Sequence, residues 1–216
     1  MLSNYYPFIA KEARPVIIIV FCLTLFAKFF LNDPIFILLL IIFLTTVYLF
    51  RDPHREIPSQ PLAIVSPIHG FITKVGEAKE IRTNTNMLRI RIVMRITDIY
   101  SLRSPIEGKV IEQWYNSSFK NQSHKHLDFH VQSDEGDNVI TAIRFRNIMR
   151  SSHVYLNSGE RIGQGQRCGY ISFGGIVDLF LPVESKILIE VGQHVNSGNS
   201  VLAELIHSEP PSSVKG

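Results

Sequence analysis

Three short stretches of this 216-residue chain hold residues whose types and spacing could do chemistry. In HKHLDFH, His124, His126 and His130 alternate with other residues, so on a strand they share one face. Imidazoles grouped in that way are common zinc ligands. In MLRIRIVMRI (87–96), Arg89, Arg91 and Arg95 fall on one side of a half-buried strand. That side could face water or anionic lipid headgroups. In ISFGGIVD (171–178), the pair Gly174-Gly175 interrupts a β-branched run, so the backbone turns sharply or is closely approached there. Turns of this kind often carry a reactive group. Here the tightest positions carry no side chain.

These stretches need elements to position them. The chain is long enough for one ordinary core plus an appendage. Its net charge of +3, from 22 Lys+Arg against 19 Asp+Glu, is too small to argue for nucleic acid. The two cysteines, Cys22 and Cys168, cannot build a disulfide framework and read as packing residues. Residues 15–31 are apolar apart from Lys28, and residues 35–50 carry no charge. Asn32-Asp33-Pro34 breaks the helix between them. Each run makes a helix of about 25 Å, slightly short of a comfortable membrane span. The expectation is an N-terminal hydrophobic helical hairpin over residues 1–50. Lys11 and Arg14 before it, with Arg51 and Arg55 after it, place both ends in the cytoplasm by the positive-inside rule.

After Arg51, short alternating runs are separated by Gly70, Gly76, Gly108, Gly136, Gly159, Gly192 and Gly198. This spacing predicts a mainly β fold: a compact, barrel-sandwich-like domain over residues 51–208, followed by a flexible tail, 209–216. SPIHGFITKVGEA (66–78) echoes SPIEGKVIEQW (104–114), and LPVESKILIEVGQHVNSGNSVLAEL (181–205) reads as a third copy. Its strand–glycine–strand pattern is similar, at fold level, to biotinyl and lipoyl carriers. Those carriers need a lysine at a hairpin tip, and Asn196-Ser197-Gly198 offers none.

FRDPHREIP (50–58), SPIHG (66–70), IVMRITDIYSLRSPIEGKV (92–110), GERIGQGQRCGYISFGGIVDLFLP (159–182) and VGQHVNSGNSVLAEL (191–205) occur in the order of a known family. Together they resemble phosphatidylserine decarboxylase in its short, membrane-anchored bacterial form, over residues 48 to 205. The resemblance implies an enzyme that makes its own cofactor. A serine in a Phe-Gly-Ser turn attacks the preceding carbonyl, the chain splits, and the serine becomes a pyruvoyl group that serves as electron sink. A histidine activates the serine and an aspartate orients the histidine.

Matched residue by residue, the family's Ser-Pro-Ala-Asp-Gly reads Ser66-Pro67-Ile68-His69-Gly70, so His69 holds the aspartate position. The family's Asp-Val-His reads Asp98-Ile99-Tyr100, so Tyr100 holds the histidine position. Its Phe-Gly-Ser reads Phe173-Gly174-Gly175, so Gly175 holds the serine position. An Asn-Glu-Arg motif reads His124-Lys125-His126, and an Ala-Arg-Arg stretch reads Met149-Arg150-Ser151. A pyruvoyl group needs the serine Cβ, and glycine has none. Ser172 stands three residues earlier on the strand, where its use would demand a register slip. His69 and Tyr100 could exchange protons but have no nucleophile to activate.

The expected protein neither self-cleaves nor decarboxylates; the alternative, which the resemblance as a whole implies, is an active decarboxylase making phosphatidylethanolamine. The expected non-processing protein needs no cofactor and sits at the inner membrane with its β-domain on the cytoplasmic side. Its expected partners are membrane phospholipid, with Arg89, Arg91 and Arg95 as contacts, and an active relative or further copies of itself. No metal site is expected. Lysostaphin-type peptidases also carry a His-x-His, but they need an upstream His and Asp pair, and His69 has no aspartate at the matching spacing.

Overall fold

The computed structural model describes residues 9–30, 32–53, 57–58, 60, 62–80, 82–116, 126–144 and 151–206. Two helices open the chain, α1 (Arg14–Phe30) and α2 (Asp33–Leu49). Asn32 precedes the second, and Pro34 sits in its first turn, where a missing N–H costs nothing. The helices meet at small side chains. Ala27 is fully buried, and the Thr24 hydroxyl donates to Val20 O at 2.8 Å and Leu39 O at 3.4 Å. Small residues at such a contact let the two backbones approach. Elsewhere the helices present Ile18, Ile19, Phe29, Phe30, Leu38 and Leu44 outward. The stretch Lys11–Phe30 is long and apolar enough to cross a membrane by length and composition, whereas Asp33–Leu49 is shorter.

The rest is β-structure. The strands are β1 (Ala63–Val65), β2 (Gly70–Lys79), β3 (Asn86–Met94), β4 (Ser101–Arg103), β5 (Gly108–Asn116), β6 (His126–Gln132) and β7 (Asn138–Arg144). They continue as β8 (Ser151–Val154), β9 (Arg161–Ile162), β10 (Arg167–Ser172), β11 (Gly175–Leu181), β12 (Lys186–Ile187), β13 (His194–Val195) and β14 (Val201–Glu204). An eight-stranded antiparallel sheet in the order β13-β2-β3-β11-β7-β6-β5-β9 curls into a half-barrel. Two three-stranded sheets, β1-β14-β12 and β4-β10-β8, complete the domain.

The large sheet is symmetric about the β11–β7 pair. β13, β2, β3 and β11 on one side match β9, β5, β6 and β7 on the other. The bulge between Ile72 and Lys74 recurs between Val110 and Glu112. The two SPI turns bond to each other: Val65 N–H donates to Pro105 O and Arg103 N–H donates to Pro67 O, both at 2.9 Å. Within each turn the serine hydroxyl donates two residues on, Ser66 to Ile68 O and Ser104 to Ile106 O, both at 2.7 Å. Each turn then ends on a glycine that only a glycine can satisfy. A Cβ on Gly70 would lie 2.5 Å from Val93 O, and one on Gly108 would lie 2.1 Å from Gln132 O.

The mainly β expectation therefore holds, with one change to its internal organisation. Residues 181–205 are not a third copy. Gly198 N–H donates to Ser66 O as Gly165 N–H donates to Ser104 O, and Gly192 N–H donates to Ile72 O as Gly159 N–H donates to Val110 O. The segment is thus the closing arm of the first repeat, matched by residues 151–172 of the second. Repeat two, β4–β10, lies between β3 and β11 of repeat one.

Strand alternation sorts the two faces of the half-barrel. Ile90, Ile92, Val177, Leu179, Phe129 and Val131 fill the core, all at 0% exposure. The outer face carries a smaller cluster of Met87, Ile140, Ala142 and Phe180.

Candidate functional site

The ISFGGIVD turn joins β10 to β11 where repeat two ends and repeat one resumes. Phe173 at φ 58° and Gly174 at φ 81° make it. A Cβ on Gly174 would lie 2.7 Å from Met94 O, so this position requires glycine for conformation and for space. Gly175 follows as the first residue of β11, paired with Met94 and buried. Across the seam runs the other junction, residues 95–100, between β3 and β4. There the Asp98 carboxylate accepts the Arg95 N–H at 2.7 Å, which pins the turn.

Tyr100 is 1% exposed, and its hydroxyl donates to Ile96 O. Its ring lies in an aromatic cluster with Phe50 at 5.7 Å, Tyr170 at 5.7 Å and Phe173 at 6.0 Å between centroids. Phe50 ends α2 and also meets Phe173 edge-on at 6.2 Å. The hairpin's exit is therefore seated on the turn. Burial, and after it the negative charge of Asp98, push the Tyr100 phenol up to about 12, against the opposing pull of Arg51 and a hydrogen bond from the Phe173 backbone. A phenol so placed stays protonated at neutral pH and is no base. A second contact ties the hairpin down. Arg167 pairs with Glu12 at 2.8 Å and with Asp52 at 3.0 Å.

His69 sits elsewhere, at the tip of the SPIHG turn. Its ring meets that of His194 on β13 at 4.6 Å, with planes 77° apart. One ligand atom each from His69, Asp98 and His194 lie within 4.8 Å of one another. His69 and Tyr100 therefore belong to different groups, one polar and one aromatic, with Asp98 between them.

The other residues singled out from sequence are dispersed. Arg91 forks onto Asp178 with bonds of 2.6 and 2.8 Å, and Arg144 reaches the same carboxylate at 3.4 Å. Asp178 is completely buried, so this pair is structural. Arg89 shares that outer face, with its Nε buried and without a hydrogen-bond partner among the described residues. Arg95 lies one residue past β3, with its guanidinium 4.0 Å over the Phe71 ring. His130 bonds Asn138 at 2.9 Å and stacks on Trp114. His124, Lys125, Arg55, Met149 and Arg150 lie outside the described residues. Cys168 is buried, with its thiol pushed up to about 12 chiefly by that burial, as suits a packing residue. Cys22 lies exposed on α1.

Sequence reading missed Asp98 and His194 as partners of His69. A signal existed in the repeat. His69 and His194 match Glu107 and Arg161 of the second copy, a complementary pair that hints at tip-to-tip contact, and those two lie 4.0 Å apart.

The sequence profile described as Phosphatidylserine decarboxylase matches residues 42–203. The chain belongs to the phosphatidylserine decarboxylase family. Similar relatives are the phosphatidylserine decarboxylase proenzymes of Burkholderia lata (strain ATCC 17760), 32% identical over 216 residues, and of Nitrosomonas eutropha, 31% identical over 215 residues. Each of these alignments covers 94% of this chain and 99% of the relative. The proenzyme of Paraburkholderia xenovorans is 30% identical over 211 residues, covering 94% of this chain and all of the relative. No solved structure matches the chain.

The family's pyruvoyl group does not fit these residues. It would have to arise at the residue after Gly174, and Gly175 supplies no Cβ from which to make a ketone methyl.

Proposed function

We infer that this chain is a non-processing member of its family, anchored by the hairpin at a membrane and retained as a phospholipid- or partner-binding module. The observation that carries the reading is Gly175 at the head of β11, directly after the strained Phe173-Gly174 turn. The Phe-Gly of the family's processing turn is kept as Phe173-Gly174, while the side chain that would react is missing at Gly175. Tyr100, protonated and sealed among aromatic rings, supports it, since no base faces the turn from that position.

The apolar outward surfaces of α1 and α2 support membrane attachment. Phe50 then brings the Gly174 turn close to the bilayer surface. Arg89 and Arg95 are the better candidates for headgroup contact, because Arg91 is committed to Asp178.

The relatives' designation as decarboxylase proenzymes favours a second reading, an active lyase. One measurement separates the two. The purified protein is expected to run as a single chain on a denaturing gel, with an intact mass of 24.6 kDa. Two fragments parting near residue 174, with a pyruvoyl mass on the second, would establish the active reading. For lipid contact, the full chain in nanodiscs with Arg89 and Arg95 changed to glutamine is expected to lose its preference for anionic over zwitterionic lipid. An unchanged preference removes these arginines from the role.

A further inference from the structure

We propose that His69, Asp98 and His194 form a binding site for a divalent first-row transition metal ion, with zinc the ion that the donor set suits best. Two imidazoles and one carboxylate are a recurrent protein ligand set for zinc and leave a coordination position for water or a ligand oxygen.

The geometry is close to what an ion would require. Metal–nitrogen bonds of ~2.1 Å at tetrahedral or octahedral angles put two imidazole centroids roughly 4.5–5.2 Å apart. His69 and His194 stand at 4.6 Å, with planes 77° apart. The donor atoms span up to 4.8 Å, against roughly 3–3.4 Å around a bound ion. Closing that gap calls for side-chain movement, and His194 is the exposed member of the three. His69 is part-buried and Asp98 is 7% exposed, so the site has one movable ligand and two better-held ones.

The supports are rigid where precision is needed. Asp98 is fixed by the Arg95 N–H at 2.7 Å. His69 rides on the SPI turn, which the second SPI turn holds by two backbone bonds. His194 is registered against Phe71 on β2, and their rings meet at 4.6 Å. The Arg95 guanidinium lies 4.0 Å over the Phe71 ring.

The second repeat supplies an internal contrast. At the equivalent tips Glu107 and Arg161 form a salt-bridge network with Asp134. A tip contact that needs only an ion pair already exists in this protein. The first repeat places three ligating groups there instead.

The test uses the full chain in detergent micelles, stripped with chelator and titrated with Zn²⁺ by calorimetry, then with Co²⁺ by visible absorption. About one equivalent of Zn²⁺ is expected, together with the d–d bands of low-coordinate Co²⁺. His69→Ala and His194→Ala should each weaken binding by more than about 100-fold, beyond what loss of an outer partner costs. Glu107→Ala should change nothing. Circular dichroism of each variant separates lost ligation from lost fold, and His69→Gln and His194→Gln serve where an alanine variant unfolds. Wild-type protein that takes up no zinc would sink the proposal. So would a folded double variant that binds zinc as tightly as wild type. The outcome is independent of whether the chain is cut near residue 174.

Discussion

At one tip of the half-barrel His69 meets His194 beside Asp98. At the matching tip Glu107 meets Arg161 beside Asp134. The backbones carrying these groups make the same hydrogen bonds, bulge at the same place and end their turns on the same kind of crowded glycine. The scaffold thus fixes where two tips touch and leaves open what they say to each other. One repeat has an ordinary surface ion pair, and the other a set of ligands. The same freedom shows on the outer face. Arg91 and Asp178 of repeat one stand where repeat two has His130 and Ile140.

The strongest way to break that comparison is to remove the charge from one repeat only. Arg91→Met leaves the fully buried Asp178 with Arg144, at 3.4 Å, as its ion-pair partner among the described residues. Loss of one partner of a buried pair costs about 3–5 kcal/mol, and the remaining Arg144 holds this to about 3. Denaturant unfolding should show that loss, whereas His130→Met at the matching place should cost well under half as much. An equal cost would mean the ion pair contributes nothing that His130 does not.

The paired glycines sharpen the likeness instead. Gly108→Ala and Gly70→Ala each drive a methyl into a carbonyl, and overpacking of this kind costs about 1–3 kcal/mol or more. The 2.1 Å approach at Gly108 against 2.5 Å at Gly70 makes Gly108→Ala the worse of the two. Thermal melts in the opposite order would show that one turn yields more readily than the other.

A smaller effect is expected at the seam. Tyr100→Phe removes one buried hydrogen bond to Ile96 O, about 1 kcal/mol. Its pH signature follows from the phenol's raised value. Unfolded tyrosine ionises near pH 10, but folded Tyr100 holds its proton to about 12. The unfolded state therefore binds fewer protons between those values, and the folded state loses stability as pH rises through that window. Below pH 10 the contribution is whole. Tyr100→Phe should flatten that alkaline loss, as read from unfolding free energies at pH 9 and 11. The smallest effect belongs to Glu107→Ala, under about 1 kcal/mol, because both members of its pair with Arg161 are well exposed.

Much of this was legible in the sequence. The alternating runs and spaced glycines gave the β-domain, the apolar runs on either side of Asn32-Asp33-Pro34 gave the two helices, and the SPI echo gave the repeat. What stayed hidden depends on register between distant strands. Asp178 lies 87 residues from Arg91, so no local pattern reveals that the arginine is already taken. The closing arm of repeat one looked like a third copy because it shares strand–glycine–strand texture with the opening arms. Only its hydrogen bonds to Ser66 and Ile72 assign it. His69 was legible through motif matching, but its company was not. Asp98 sits 29 residues on from His69, in the loop after β3, which only the antiparallel β2–β3 pairing returns to the start of β2, and His194 enters on a two-residue strand too short to announce itself.

Because repeat two lies wholly inside repeat one, the two cannot fold on equal terms. The strands of repeat two are joined in sequence, and β5–β6 and β6–β7 pair between neighbours along the chain. Repeat one must bring Ala63 to Glu204 and Met94 to Gly175, closures that span the whole intervening copy. Long closures cost more entropy and form late. During synthesis the inner copy can assemble while the outer one still waits for β14 to leave the ribosome. The tips carrying His69 and His194 therefore come together only in the last stage of folding, after the inner scaffold on which they rest is built.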